Sequence, residues 1–309
     1  MLSRVAEAFF WIGRYLERAE GTARILEVVI QQTTGQVGEP ANVAAARLLT
    51  VMGLPAQAET GLDDVVKQLA YDKASRSSIT GTLIAARENA RLVRHLLPAE
   101  VWEALNVTFV ELSLRRQPRS AAGLSRLLTL VRTRTAAITG LAETTMSRDD
   151  DWLFLTLGRA LERADVITRQ LAASDIRAVG EGALANVLLS CGGYEPYLRR
   201  SHGIIDPARV ANFLLRDPAF PRSAFASLTV AGGCLSSLAL GGRLPTEEPQ
   251  RLLGRARADL EFAAPDELLA GLPARLVRLQ AACSEISDAV TRHYFSYELP
   301  TRWRTGLAG

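Results

Sequence analysis

Two stretches of this sequence place arginine and glutamate side chains at helical spacing, and these are the residues whose types could do chemistry. The first stretch covers residues 13–24 and reads GRYLERAEGTAR, and the second covers residues 158–169 and reads GRALERADVITR. Arginine pairs with carboxylate or phosphate through a planar fork of donors, and a glutamate in a cleft can act as a general acid or base. Gly, Arg, Leu, Glu, Arg, Ala, an acid and Arg recur at one offset of 145 residues. This repeat predicts that the chain is an internal duplication.

Each stretch has the pattern of an amphipathic helix. At about 100° per residue, Leu16, Ala19 and Ala23 fall on an apolar arc, and the charged side chains fall on the opposite arc. Charged side chains three or four residues apart pair along a helix for a few tenths of a kcal/mol each. One interpretation is a solvated charged face. We favour the other, a constrained and at least partly buried Arg/Glu network, because the second copy keeps the same charged positions.

The two motif helices are predicted to be neighbours across a pseudo-two-fold axis, with Glu17 and Glu162 well buried. Only then would the arginines of one helix reach the acids of the other without water. The predicted partners are Arg14 and Arg18 for Glu162, and Arg159 and Arg163 for Glu17. Close approach of the helices is predicted at three small residues, namely Gly13, Gly21 and Gly158.

The rest of the chain also has helical patterns, and no stretch reads convincingly as a strand. Helices are predicted over residues 3–32, 41–52, 63–70, 78–96, 99–114 and 121–145. Loops are predicted at residues 33–40 and 53–61 and a hinge at residues 115–120, where Gly, Pro or clustered polar residues occur. The offset of 145 residues recurs outside the motif, for example in Val65 and Val210 and in Ser78 and Ser223.

We therefore predict an all-α fold, an internally duplicated helical bundle without a sheet, whose halves of about 145 residues are related by a pseudo-two-fold axis. The first helical repeat is assigned to residues 1–146, and the second, diverged repeat with a C-terminal tail to residues 147–309.

Composition describes an ordinary globular protein. The chain has 309 residues, of which 48% are hydrophobic and 22% are charged, and its net charge is +3. Lys67 and Lys73 are its only lysines, so nearly all the positive charge is arginine. The balance of charge argues against nucleic-acid binding.

Cysteine and histidine spacing gives no metal site. Three widely spaced cysteines without a C-x-x-C pattern predict neither a disulfide framework nor a zinc site. No histidine stands three residues after a glutamate, as the helical dinuclear metal sites require. A nucleophilic pair of Cys191 and His202 is an alternative, although isolated cysteines are more often small core residues.

The cytoplasm is the predicted location. No signal-peptide pattern is found near the N-terminus. Residues 223–242 form an uncharged run of 20 residues, long enough to span a membrane. We predict a buried helix there instead, because the counterpart at residues 78–97 carries several charges.

A second charged helix follows the first motif. Arg87, Glu88, Asn89 and Arg91 carry its charged stripe, whereas the corresponding stretch of the second half reads GGCLS. If this helix meets the two motif helices, the arginines outnumber the acids by three, which would favour an anionic ligand such as a peptide carboxylate or a phosphoryl group. The candidate ligand-binding residues are Arg14, Glu17, Arg18, Glu20, Arg24, Arg87, Glu88, Asn89, Arg91, Arg159, Glu162, Arg163, Asp165, Arg169, Arg222 and Ser223.

Several of these stretches resemble one known family. MLSRVAE leading into WIGRYLERAE, then ARENAR at residues 86–91 and WEALN at residues 102–106, are similar to the bacterial alpha-E family, and so are FLL at residues 213–215 and PRS at residues 221–223. The resemblance implies a helical fold with a Glu-Arg motif. It also implies a gene beside, or fused to, a circularly permuted ATP-grasp ligase, often near transglutaminase-like peptidases and a proteasome-related protein, in peptide synthesis or modification. Alpha-E proteins have no established activity of their own.

Three functions follow as hypotheses. The first is a non-hydrolytic partner subunit that binds an ATP-grasp amide ligase and presents a peptide or amino-acid carboxylate, with ATP and Mg used by the ligase and no cofactor bound by this chain. The second is an enzyme that uses Glu17 or Glu162 as general acid or base, for which a concave pocket with a carboxylate of raised pKa would be the sign. The third is an RNA-binding module, which would bind with steep salt dependence.

Overall fold

The computed structural model describes residues 3–34, 40–55, 61–114, 120–240 and 247–295. Within these ranges the chain is helical and contains no strand. The helices are α1 (Ser3–Thr34), α2 (Ala41–Val51), α3 (Leu62–Tyr71), α4 (Ile79–Leu92), α5 (Ala99–Leu114), α6 (Ala121–Thr145), α7 (Asp150–Ser174), α8 (Glu181–Ser190), α9 (Tyr194–Ser201), α10 (Pro207–Arg216), α11 (Ala224–Leu240), α12 (Glu247–Glu261), α13 (Pro265–Ala270), α14 (Leu272–Val290) and a π-helical turn (Thr291–Phe295). The all-α prediction is confirmed.

The two motif helices, α1 and α7, pack directly against each other. A Cβ atom added to Gly13 would lie 2.0 Å from the carbonyl oxygen of Leu155, and one added to Gly158 would lie 2.0 Å from that of Phe10. At Gly21 the added atom would lie 3.3 Å from Val166. The prediction that these three glycines permit close approach is confirmed.

The apolar arcs of the motif helices face the core. Phe9, Leu16 and Leu26 of α1 and Phe154 and Leu161 of α7 are almost completely buried. Full burial of such a side chain stabilises a fold by roughly 1.5–3 kcal/mol. Helix α4 packs on α1 and α11 packs on α7, so the motif helices lie at the centre of the molecule.

The turns before α4 and α11 are built alike. Ser78 donates its hydroxyl to the carbonyl oxygen of Asp72 and accepts the N–H of Gly81 at 2.9 Å. Ser223 donates to the carbonyl oxygen of Asp217 at 2.6 Å and accepts the N–H of Ala226 at 3.0 Å. Such N-caps satisfy backbone N–H groups that the first helical turn leaves unpaired. Ser223 is therefore part of a turn that orients its neighbour Arg222.

The predicted helix boundaries hold except at the end of α4. We expected that helix to reach residue 96, but it ends at Leu92. The N–H groups of Leu96 and Leu97 turn back to the carbonyl oxygen of Val93, and Pro98 disfavours helical backbone in the residue before it. The predicted loops at residues 33–40 and 53–61, the hinge at residues 115–120 and the C-terminal tail lie wholly or partly outside the described residues.

The uncharged run of the second half forms α11, as predicted, in so far as it is described. Among the described helices, none is both long and apolar enough to cross a bilayer.

Candidate functional site

Glu162 on α7 is held by two arginines of α1. Arg14 donates Nε to Oε2 at 2.6 Å, and Arg18 donates Nε to Oε1 at 2.5 Å and Nη2 to Oε2 at 2.9 Å. Glu162 is 2% exposed. Burial alone would raise the pKa of this carboxyl, but the positive charges of Arg18 and Arg14 outweigh burial and lower the pKa to about 2. The predicted pairing and the predicted burial are both confirmed here.

Glu17 on α1 has a similar environment, with one difference from the prediction. Arg163 on α7 donates Nε to Oε1 at 2.9 Å and Nη2 to Oε2 at 2.6 Å, as expected. The second donor is Arg222, whose Nη2 lies 2.6 Å from Oε1. Burial acts to raise the pKa of Glu17, but Arg222 and then Arg163 more than reverse this and hold it well below its ordinary range.

Arg159 was predicted to face Glu17, and its charge does help to lower the pKa of Glu17. It does not bond that carboxylate directly, however, because its Nη1 donates to Oε1 of Glu143 at 3.2 Å. The second direct donor to Glu17 is Arg222, which comes from the turn before α11. Helical periodicity could not predict the contact between Arg222 and Glu17, because it forms only when this turn, from a distant part of the chain, folds over the motif.

Glu20 and Asp165, the second acids of the two motifs, have different partners. Oε1 of Glu20 accepts from Nη2 of Arg24 at 2.9 Å and from Nη1 of Arg222 at 3.2 Å. Asp165 forms an ion pair through Oδ2 with Nε of Arg169 at 2.9 Å. Its Oδ1 is buried and has no hydrogen-bond partner in the described part of the chain. Burial raises the pKa of Asp165, and the charge of Arg169 offsets only part of the increase.

A cavity of about 400 Å³ opens beside Arg159. Its lining also includes Arg163, Thr156, Ser227 and the carboxylate-bearing Glu143. The hydroxyl oxygens of Thr156 and Ser227 are buried and have no hydrogen-bond partner among the described residues. Burial lowers the pKa of Arg159; nearby Glu17 acts to raise it and Arg163 to lower it further. We call this space the Arg159 cavity.

The corresponding positions of the first motif helix are filled by aromatic rings. At the offset of 145 residues, Thr156 corresponds to Trp11 and Ala160 to Tyr15. The rings of Trp11 and Tyr15 stack with their centroids 5.3 Å apart. The smaller side chains of Thr156 and Ala160 leave space. Sequence reasoning missed Thr156 and Ser227; a comparison of side-chain volume between positions 145 residues apart could have pointed to the first of them.

The charged stripe of α4 does not join the Arg/Glu network. Arg87 donates to Oδ1 of Asn106 at 2.9 Å and to Glu88 at 2.8 Å. Arg91 also donates to Glu88, at 3.0 Å, and Asn89 donates to a backbone carbonyl of its own helix. In the described part of the chain these side chains bond only within α4 and α5. The expected convergence of α4 arginines with the motif acids is therefore not formed.

A larger cavity, of about 810 Å³, lies between α9 and α10. Its lining includes Arg200 and Arg209, which are exposed and pair with Asp217 and Asp206, respectively. Ion pairs of exposed arginines contribute little to stability, and each of these two arginines already has a carboxylate partner. We therefore place the candidate site at the motif helices.

Cys191 is buried, and burial raises the pKa of its thiol to about 12. Only the thiolate is an effective nucleophile, and His202 is exposed at the end of α9. The geometry gives a Cys–His nucleophilic pair no support. No group of three or more His, Cys, Asp or Glu side chains in the described ranges is placed to hold a metal ion.

Two central helices that exchange Glu–Arg pairs inside an all-helical shell define a class of helical protein with a Glu-Arg motif. The chain belongs to the Alpha-E family: the family model, described as a predicted alpha-helical domain with a conserved ER motif, matches residues 1–295.

Relatives occur in mycobacteria. The chain is 28% identical over 324 residues to an uncharacterised protein of Mycobacterium bovis and to uncharacterised proteins of two strains of Mycobacterium tuberculosis. The alignments cover 93% of this chain and 36% of each relative, so the chain spans about a third of their length. No solved structure matches the chain.

Proposed function

We propose that this protein is a non-hydrolytic binding subunit that holds an anionic group in the Arg159 cavity for an ATP-grasp amide ligase. The observation that carries the proposal is the set of donors around that cavity. Arg159 and Arg163 supply positive charge, and the unpaired hydroxyls of Thr156 and Ser227 supply neutral donors. Arginine and hydroxyl donors are the groups that bind carboxylate and phosphoryl oxygens.

Electrostatics supports an anion at this position. The side chain of Arg159 is 14% exposed, whereas that of its acidic partner Glu143 is 38% exposed. Burial and the neighbouring Arg163 both disfavour the charged guanidinium. Glu143 and Glu17 already act in the opposite direction, and an anion bound in the cavity would offset both effects further. The hydroxyls would gain partners as well, and leaving a buried donor unpaired costs roughly 1–3 kcal/mol.

A catalytic role for Glu17 or Glu162 is not favoured. Every carboxylate oxygen of the two residues already accepts at least one arginine hydrogen bond. An acid or base that works near neutral pH needs a pKa near that pH, whereas the pKa of Glu162 is lowered to about 2. Their arrangement suits a buried scaffold that fixes the positions of the surrounding arginines.

The ligase partnership rests on the alpha-E resemblance. That resemblance implies a circularly permuted ATP-grasp ligase as the partner, and a peptide or amino-acid carboxylate as the group presented. ATP and Mg would then be used by the ligase. Such ligases activate a carboxylate for attack by an amine, so a subunit that binds a carboxylate suits this chemistry.

The duplication is also part of the proposal. Helices α3 and α10 begin and end at positions 145 residues apart, and so do the starts of α4 and α11. Arg18 donates to the carbonyl oxygen of Arg76, and Arg163 donates to that of Pro221, at the same offset. These reciprocal contacts support two halves related by a pseudo-two-fold axis. In an experimental structure, a half-turn should superpose α1, α3 and α4 on α7, α10 and α11, and a superposition that needs no rotation would contradict the idea.

Calorimetric titration with inorganic phosphate and with N-acetylglycine, a peptide-like carboxylate, tests the anion site. Arg159→Gln should weaken binding of the preferred anion at least tenfold, and Thr156→Val should weaken it less. Arg177→Gln is the control, because Arg177 is an exposed arginine paired with Asp175. Equal affinity for the native chain and Arg159→Gln would refute the site.

Mass photometry with a circularly permuted ATP-grasp ligase from the same genome tests the partnership. A complex should form at micromolar concentration, and the ligase should gain activity from it. A ligase that is fully active alone and forms no complex would count against the proposal.

A further inference from the structure

A third cavity, of about 220 Å³, borders the Arg18–Glu162 pair of the network. It is lined by Arg18, Glu162, Asp165, Arg169 and Ser77, among others. We call it the Asp165 cavity. Binding pockets for drug-sized ligands usually measure about 300–1,000 Å³, so an occupant here would be smaller, on the order of a single amino acid.

Asp165, which lines this cavity, has one buried and unsatisfied carboxylate oxygen. Asp165 is 6% exposed, its Oδ2 is engaged by Arg169, and its Oδ1 is without a hydrogen-bond partner in the described ranges. Most buried polar atoms in native proteins are hydrogen-bonded, and an exception calls for an explanation. A donor that entered the cavity would supply the missing bond.

The other half of the chain shows which chemical group fits this position. Asp165 corresponds to Glu20, and Ser77 corresponds to Arg222, at the offset of 145 residues. Arg222 fills its position and donates Nη1 to Glu20 at 3.2 Å and Nη2 to Glu17 at 2.6 Å. In the first half the short side chain of Ser77 leaves that space open.

We infer that the Asp165 cavity binds a small ligand through a protonated nitrogen, an ammonium or guanidinium group, which donates to Oδ1 of Asp165 in the place that the Arg222 guanidinium takes in the other half. Arg18 and Arg169 also line the cavity, so a ligand that carries a carboxylate next to its nitrogen would have donors for that carboxylate. The inference concerns a different cavity from the Arg159 cavity and does not depend on the ligase partnership.

Arg169 is held by its contact with Gly53 at a position where it can donate hydrogen bonds to a ligand in the cavity. Its Nη1 packs against Gly53, where an added Cβ atom would lie 2.3 Å away. Gly53 has a φ of +67°, a backbone conformation that glycine adopts readily. The side chain of Arg169 is 32% exposed, so it borders both the cavity and solvent.

Calorimetric titration of the full chain with L-arginine, agmatine and acetate tests the inference. Agmatine has the guanidinium and ammonium groups without a carboxylate, and acetate has only the carboxylate. If arginine and agmatine both bind, the protonated nitrogen is sufficient for binding. If only arginine binds, the cavity also holds the carboxylate. Either result supports the inference. Binding of acetate alone, or of none of the three, would overturn it.

Two variants separate this site from the rest of the molecule. Ser77→Arg should fold, because the corresponding position already carries an arginine, and it should abolish binding by filling the cavity. Asp165→Asn should weaken binding at least tenfold, whereas Asp64→Asn, at an exposed carboxylate, should not change it. Arg159→Gln should also leave this binding unchanged, so failure of the anion site and failure of this one are distinguishable. Native affinity in Asp165→Asn or in Ser77→Arg would overturn the inference.

Discussion

Gly13 and Gly158 each lie against the backbone of the other's helix. A side-chain carbon at either position would approach a carbonyl oxygen of the facing helix to 2.0 Å, which real Cβ atoms do not tolerate. Both contacts are with backbone, so a rotamer change cannot relieve them. The separation of the two motif helices is therefore set at these two residues, and the arginine–glutamate distances depend on it.

Gly158→Ala should destabilise the protein, because α1 and α7 must move apart to accept the added methyl group. Overpacking of this kind costs about 1–3 kcal/mol, and the loss of ion-pair geometry adds to it. Denaturant unfolding measures the change. Gly140→Ala is the control, since Gly140 lies inside α6 with nothing within 4 Å of an added Cβ, and it should stabilise by about 0.5–1 kcal/mol. If the two substitutions changed the free energy of unfolding equally, the close approach of α1 and α7 at Gly158 would not constrain the residue at that position.

Glu162→Gln should destabilise the fold while leaving its shape intact. The substitution removes the negative charge between Arg14 and Arg18, and breaking a buried ion pair from one side costs about 3–5 kcal/mol. The free energy of unfolding of Glu162→Gln should fall by this order. The exposed Glu103→Gln should change it by less than about 0.5 kcal/mol. A Glu162→Gln protein as stable as Glu103→Gln would mean that the network contributes nothing to folding.

Stability should fall in acid as Glu162 takes up a proton. The pKa of Glu162 is lowered from 4.5 to about 2, so its contribution is complete above pH 4.5 and is lost as the pH falls towards 2. The shift corresponds to about 3 kcal/mol at 1.36 kcal/mol per pKa unit. Urea unfolding between about pH 6 and about pH 2 should show a steeper loss in the native chain than in Glu162→Gln. Parallel pH profiles would contradict the lowered pKa.

The three thiols should resist alkylation in the folded protein. Burial raises the pKa of Cys191, Cys234 and Cys283 to about 12 each, so almost no thiolate is present near neutral pH. Iodoacetamide labelling followed by mass spectrometry should find no label on the native chain. All three cysteines should be labelled in denaturant, which is the control. Rapid native labelling of Cys191 would revive a nucleophilic role for that residue.

The pattern of the motif was sufficient to predict its main contacts. The apolar arc of α1, the burial of Glu17 and Glu162, and the pairs that Arg14, Arg18 and Arg163 make follow from helical periodicity and from the cost of burying an unpaired charge. Helical periodicity depends only on neighbouring residues, so it can be read from the sequence. When two stretches carry the same charged pattern, few arginine–carboxylate pairings between them satisfy all the charges. The helical class and most helix boundaries follow for the same local reason.

The sequence by itself determined the centre of the buried network, namely Glu17 and Glu162 with Arg14, Arg18 and Arg163, because a helix repeats its faces at a fixed angle and two matched charged faces need each other. Only the tertiary structure decided the rest. Arg222 reaches Glu17 because the turn before α11 folds over the motif, and Arg159 bonds Glu143 and lines a cavity. The Arg159 cavity and the Asp165 cavity each open beside a small side chain, Thr156 and Ser77, respectively, whereas the positions 145 residues away carry the larger Trp11 and Arg222. Such spaces depend on how several helices pack around a position, and no local pattern of the chain contains that information.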